Sequence, residues 1–70
     1  MGLKWTDAEE IAEKLYEQHP DQDPLTLRFT RLRDMVCGLP DFDDDMKGCS
    51  EGRLEAIQMA WLAEYEEADD

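Results

Sequence analysis

The order of apolar and polar positions predicts three helices joined by two irregular connections. Ile11 and Leu15, with Ala8 and Ala12 beside them, share one face of a segment running from Asp7 to Gln18. Ahead of it, Thr6-Asp7-Ala8-Glu9 reads as a capping box, with the threonine oxygen accepting from a first-turn amide and the glutamate reaching back. Trp5 is placed to fold over the beginning of this helix. His19-Pro20 ends it, because the residue before a proline is pushed out of the helical region, and His19 is expected as a cap or an exposed side chain. Leu32, Met35, Val36 and Leu39 recur at i, i+3, i+4 and i+7, giving a second helix from Arg31 to Gly38 capped by Thr30. Gly38 and Pro40 close it. The longest helix runs from Glu51 to Glu67 behind a Ser50 cap, and its stripe of Leu54, Ile57, Trp61, Leu62 and Tyr65 reads as core rather than as a partner groove.

Pro20 and Pro24 break the first connection, which should carry one helical turn after Pro24 and then an extended Leu27-Arg28-Phe29. The second, from Asp41 to Cys49, is a polar loop that Phe42 anchors. The tail from Glu66 to Asp70 places acids at a helix C-terminus, where the dipole disfavours them, and should fray. The fold class expected is mainly α: a small three-helix, modified winged-helix-like single domain over residues 1–70.

Charge narrows the function. Nineteen acids against 7 bases give a net charge of −12 on 70 residues. Such a field repels phosphate backbones and anionic lipid, and attracts basic protein patches and cations. The expected partners therefore exclude nucleic acid and membranes. So short a chain buries a thin core, which leaves little room for a deep catalytic pocket, and no enzyme activity is expected. No apolar run is long enough to span a bilayer, and Met1-Gly2-Leu3-Lys4 lacks a basic-then-apolar signal, so the expectation is a cytoplasmic monomer. A native disulfide is not expected there; Cys37 reads as a buried helix thiol and Cys49 as an exposed loop thiol.

The acids are the first chemical candidates. Glu10, Glu13 and Glu17, spaced by three and four, line one outer face with Asp7 nearby, and Asp21 and Asp23 follow in the loop. A bound cation would relieve their mutual repulsion; the simpler alternative is the solvated side of an amphipathic helix. Asp41, Asp43 and Asp45 would fill the first, third and fifth places of a calcium-binding EF-hand. Met46 stands where that loop needs glycine and Gly52 where it needs a bidentate glutamate, so the EF-hand reading fails. What remains is an oxygen-rich cluster suited to holding divalent cations loosely. Cys37, Cys49 and His19 fall at spacings unsuited to structural zinc, and the same scarcity argues against a Cys–His nucleophile. Arg28, Arg31 and Arg33 would mark a DNA-reading helix in a winged-helix regulator. The overall charge and the acids Asp41, Asp43, Asp44 and Asp45 just downstream oppose that alternative, leaving salt bridges or a local protein patch.

Taken in order, these segments resemble the IscX family of small acidic proteins. The likeness begins at Leu3-Lys4-Trp5-Thr6-Asp7 and continues through Ile11, Leu15-Tyr16, Pro20-Asp21 and Asp23-Pro24. It is most specific at Arg28-Phe29-Thr30 and from Leu39 through Asp41-Phe42-Asp43-Asp44-Asp45, and closes with Leu54-Glu55-Ala56-Ile57 and Trp61-Leu62. The resemblance implies a modified winged helix that does not bind DNA. It implies docking on the cysteine desulfurase IscS, in competition with the bacterial frataxin and the ferredoxin. It also implies weak ferrous iron binding, with no tightly held cofactor, and an adaptor or regulatory role in iron–sulfur cluster assembly. On this chain the implied metal-binding acids are Asp7, Glu10, Glu13, Glu17, Asp21 and Asp23. The implied partner-binding acids are Glu10, Glu13 and Glu17 with Asp41, Asp43, Asp44 and Asp45. A stand-alone ferrous iron chaperone is the alternative.

Overall fold

Apolar spacing and proline placement together build the helices. In the computed structural model, which describes residues 2–68, α1 spans Ala8–Gln18, α2 Phe29–Cys37 and α3 Glu51–Ala68. Single 3-10 turns occupy Pro24–Thr26 and Met46–Gly48. The predicted inner faces are the ones buried: Ile11, Ala12 and Leu15 from α1, Leu32 and Val36 from α2, and Leu54, Ile57 and Trp61 from α3. α1 packs chiefly on α3, and α2 closes the core from a second side. Leu62 and Tyr65 are only half-buried, so the α3 stripe is narrower than expected at its C-terminal end.

The N-terminal segment closes the core from below. Leu3 N–H donates to Asp41 O at 2.6 Å and Leu3 O accepts from Asp43 N–H at 2.9 Å, a lone parallel bridge with Phe42. Trp5 is buried, and its ring meets Phe42 edge-on with centroids 4.8 Å apart. Gly48 is required by this packing, since a Cβ there would lie 2.9 Å from Trp5 Cδ1. Among the described residues nothing longer than that bridge forms a strand, so the architecture is three helices without a β-hairpin wing.

Several local expectations are corrected. Asp7, not Thr6, sits at the N-cap of α1 and makes no side-chain cap bond. Its carboxylate turns back to accept Lys4 N–H at 2.9 Å while Asp7 N–H donates to Lys4 O at 2.9 Å, so a tight turn engages the carboxylate that would otherwise cap the helix from Asp7. α2 starts at Phe29 rather than Arg31, with Arg28 extended at its N-cap and Leu32 N–H bonded to Arg28 O at 2.9 Å. Phe29 packs against the core, so starting the helix there places an aromatic ring inside, and Thr30 has no capping role. The Pro24 turn is as expected, capped by Asp23 Oδ1 accepting from Leu25 N–H at 3.0 Å. Ser50 Oγ accepts Arg53 N–H at 3.3 Å, as its place before α3 predicts. α3 runs as far as Ala68 and so takes in Glu66 and Glu67 of the acidic tail; Asp69 and Asp70 lie outside the described residues.

Candidate functional site

α1 presents its carboxylates along a rigid ridge because Ile11, Ala12 and Leu15 pin its other side to the core. Glu9, Glu10, Glu13 and Glu17 are all exposed. Glu9 and Glu10 sit in the first turn, where the positive end of the helix dipole favours them.

The structure divides the expected acidic face between two shallow grooves. On one side, Glu9 and Glu13 of α1 meet Glu64 and Glu67 of α3 across Ala60 and Ala63 in a cleft of about 250 Å³. The alanines let the two helices approach, so four carboxylates from different elements share one opening. On the other side, Asp7, Glu10, Lys14 and Asp41 line a wider groove floored by Gly2 and Leu3. Glu17 leaves this set for Lys14, whose Nζ lies 4.0 Å from Glu17 and 3.9 Å from Asp41, tying α1 to the aspartate loop. Asp21 lies apart, beside His19 and Gln22, and Asp23 is committed to capping. Glu64 and Glu67 were not singled out in the sequence; their spacing of three, the same as that of Ala60 and Ala63 just before them, is the signal that marks a small-residue groove edged by acids.

The aspartate loop is built as much for structure as for display. Asp43 pairs with Lys4 at 3.8 Å, and the lysine also donates to Asp43 O. Asp44 Oδ2 accepts Trp5 N–H at 3.0 Å and its Oδ1 accepts Asp45 N–H at 2.7 Å. Asp45 O accepts Trp5 Nε1–H at 2.7 Å, and its own carboxylate accepts Lys47 N–H at 2.9 Å. Trp5 therefore reads the loop through its backbone, its indole and its ring face.

The amide of Trp5, followed by that of Asp45, holds the Asp44 carboxyl below its ordinary range. A group whose pKa is depressed by folding contributes above its unfolded value and loses that contribution as pH falls through the folded value. The Trp5 amide resonance is therefore expected to stay at its neutral position until the pH drops below the usual aspartate range, then move as the clasp opens. Asp44→Asn should abolish that acid transition, which an NMR pH titration reads directly.

His19 caps α1 through its backbone N–H to Leu15 O at 2.8 Å, and its exposed ring stands 6.4 Å from the Trp61 ring, as either sequence expectation allows. Arg33 meets Asp34 at 3.7 Å, one of the salt bridges foreseen for the arginine group. Both cysteines are free and half-buried, so Cys37 is less enclosed and Cys49 more enclosed than expected. Among the described residues no three His, Cys, Asp or Glu side chains converge in a preformed metal cage. None of the described helices is long and apolar enough to cross a membrane. What the arrangement offers chemically is a set of hydrated oxygen donors on a fixed scaffold, able to attract cations and cationic side chains without enclosing them.

Comparison with known proteins agrees with the order of motifs. The profile of the iron-sulphur cluster assembly family matches residues 3–66. A Pseudomonas aeruginosa protein, described only as uncharacterized, is 50% identical over 64 residues, covering 91% of this chain and 97% of that relative. The match takes in the Leu3–Phe42 bridge, the α1 ridge and most of α3, and the chain belongs to the iron-sulphur cluster assembly family, the IscX family that its ordered motifs resemble.

Proposed function

We propose that this chain is a non-enzymatic adaptor of iron–sulfur cluster assembly that docks on the cysteine desulfurase IscS through its acidic face and carries ferrous iron weakly. The observation that supports it most is the α1 ridge, where Glu9, Glu10 and Glu13 stand exposed between two acidic grooves on a helix held by the core. A surface of this kind steers towards a basic patch and accelerates encounter in a salt-sensitive way. Iron is cargo in this reading. Carboxylates without a cage bind it loosely and release it quickly, which suits sensing or delivery more than storage. The cation would also lower the charge of the ridge, coupling iron level to partner choice. The working form is a cytoplasmic monomer, and the Leu3–Phe42 bridge is the reduced counterpart of a wing in a modified winged helix.

The acids divide by task. Asp7, Asp23, Asp44 and Asp45 are taken up by backbone amides, whereas Glu9, Glu10 and Glu13, with Glu64 and Glu67 across the cleft, are the ones turned outward to metal or protein. NMR titration with ferrous iron and then with desulfurase should broaden or shift amides of Glu9, Glu10 and Glu13 in both steps. Shifts confined to the segment around Asp21 and Asp23 in the first step would move the metal away from the docking ridge. Micromolar or tighter ferrous affinity without a partner would favour the stand-alone chaperone instead.

A further inference from the structure

The two grooves beside α1 differ in their bases. Glu9, Glu13, Glu64 and Glu67 line the cleft between α1 and α3, and among the described residues no base lines it. The groove on the other side holds Asp7, Glu10 and Asp41, but Lys14 lines it as well. Lys14 Nζ lies 3.9 Å from Asp41 and 4.0 Å from Glu17, so its ammonium stands between α1 and the aspartate loop. Further along that loop Lys4 pairs with Asp43 at 3.8 Å. One groove is therefore acid throughout, and the other carries a cation of its own.

We propose that Lys14 is a built-in counter-ion that selects between the two grooves: it keeps divalent cations away from Asp7, Glu10 and Asp41 and leaves them the cleft between α1 and α3. The inference rests on the reading of the acidic face as a cation-binding surface, and it names the residue that regulates where on that face a cation settles. Four carboxylates face an ion entering the cleft, whereas in the other groove three are set against one ammonium. An ammonium tethered to the same helix is present at a local concentration that dilute free ions do not match. It also repels any second cation that approaches the acids it faces. Its ion pairs are open to water and add little to stability, so the lysine can be replaced without loss of the fold. Lys14 thus acts on selection of the groove and not on folding.

The test titrates the full chain with calcium, a diamagnetic cation that seeks oxygen donors, at low ionic strength, and follows each side-chain carboxyl carbon by NMR. In the native chain Glu9, Glu13, Glu64 and Glu67 should respond at lower calcium than Asp7, Glu10 and Asp41. Lys14→Gln should lower the calcium needed at Asp7, Glu10 and Asp41 by about three- to tenfold and move the cleft by less than about twofold. Lys14→Arg, which keeps the charge, should match the native chain. Arg31→Gln removes the same charge from an exposed position on α2 and should shift both grooves slightly and alike. Equal responses of the two grooves in the native chain, or a Lys14→Gln effect no larger than that of Arg31→Gln, would overturn the proposal and leave the cation-binding face standing. No response at any carboxyl would overturn both.

Discussion

Trp61→Ala is expected to remove about 3–5 kcal/mol of stability and to lower Tm by about 15–30 °C, read by thermal unfolding followed by circular dichroism. The ring is fully buried at the contact between α3 and the rest of the core, with His19 of the α1 cap beside it. A domain of this length has roughly 4–10 kcal/mol in total, so the loss takes away a large share of the folded population. The indole also carries an internal contrast. Its Nε1–H is buried with no hydrogen-bond partner, an arrangement that costs about 1–3 kcal/mol relative to a satisfied donor. Trp61→Phe keeps an aromatic ring and deletes the orphaned donor, so its net cost should stay below about 2 kcal/mol. If Trp61→Phe were as damaging as Trp61→Ala, the ring's packing would not be what matters at this position.

The second large effect belongs to the surface. Replacing Glu10, Glu13 and Glu17 together by Lys halves the net charge of −12 and turns the α1 ridge positive. Desulfurase affinity is expected to fall by roughly 100-fold or more, because like charges would then meet across the contact. The fold should tolerate the change to within about 1 kcal/mol, since all three side chains are exposed and the helix is fixed by its buried face. Unchanged far-ultraviolet circular dichroism would separate loss of docking from loss of structure. Because Glu17 faces Lys14 rather than either groove, the single Glu17→Lys variant should contribute least of the three. Glu13, which shares its cleft with Glu9, Glu64 and Glu67, should contribute most.

How far the molecule could be read from its sequence depended on the range of the interactions involved. The inner faces of α1, α2 and α3 were legible because Ile11 and Leu15, Leu32 and Val36, and Leu54, Ile57 and Trp61 obey a helical period that only a core explains. Caps were less legible. Thr6 satisfies the local rule for a capping box, but the turn from Lys4 to Asp7 leaves Asp7 at the N-cap, one residue further along. Thr30 fails for the opposite reason, because burying Phe29 extends α2 past the residue that local propensity would choose. The pairing of Leu3 with Phe42, and the clasp of Asp44 and Asp45 on Trp5, join residues far apart in the chain, and no periodicity announces them.

The acidic site shows the same division. Composition and the spacing of Glu10, Glu13 and Glu17 marked a carboxylate face, but not which acids share each groove. Whether an acid is turned outward or engaged by a backbone amide depends on tertiary register, so Asp23 and Asp44 look in sequence like Glu13 yet accept hydrogen bonds from backbone amides. Glu64 and Glu67 join the site because α3 lies against α1 with Ala60 and Ala63 at the contact, a rotational setting that hydrophobic spacing leaves open. Cys49 is likewise half-buried against the core although the residues around it in the chain are polar.

The most direct measurement is the dissociation constant of this chain with the cysteine desulfurase as ionic strength rises from about 0.05 to 0.5 M, a range over which screening shortens from beyond 10 Å to a few ångströms. Docking through outward carboxylates predicts a tight complex at low salt that weakens steeply with added salt, and no comparable dependence for the triple lysine variant. Absence of a complex at the lowest salt, or an affinity indifferent to salt and to those three substitutions, would contradict it.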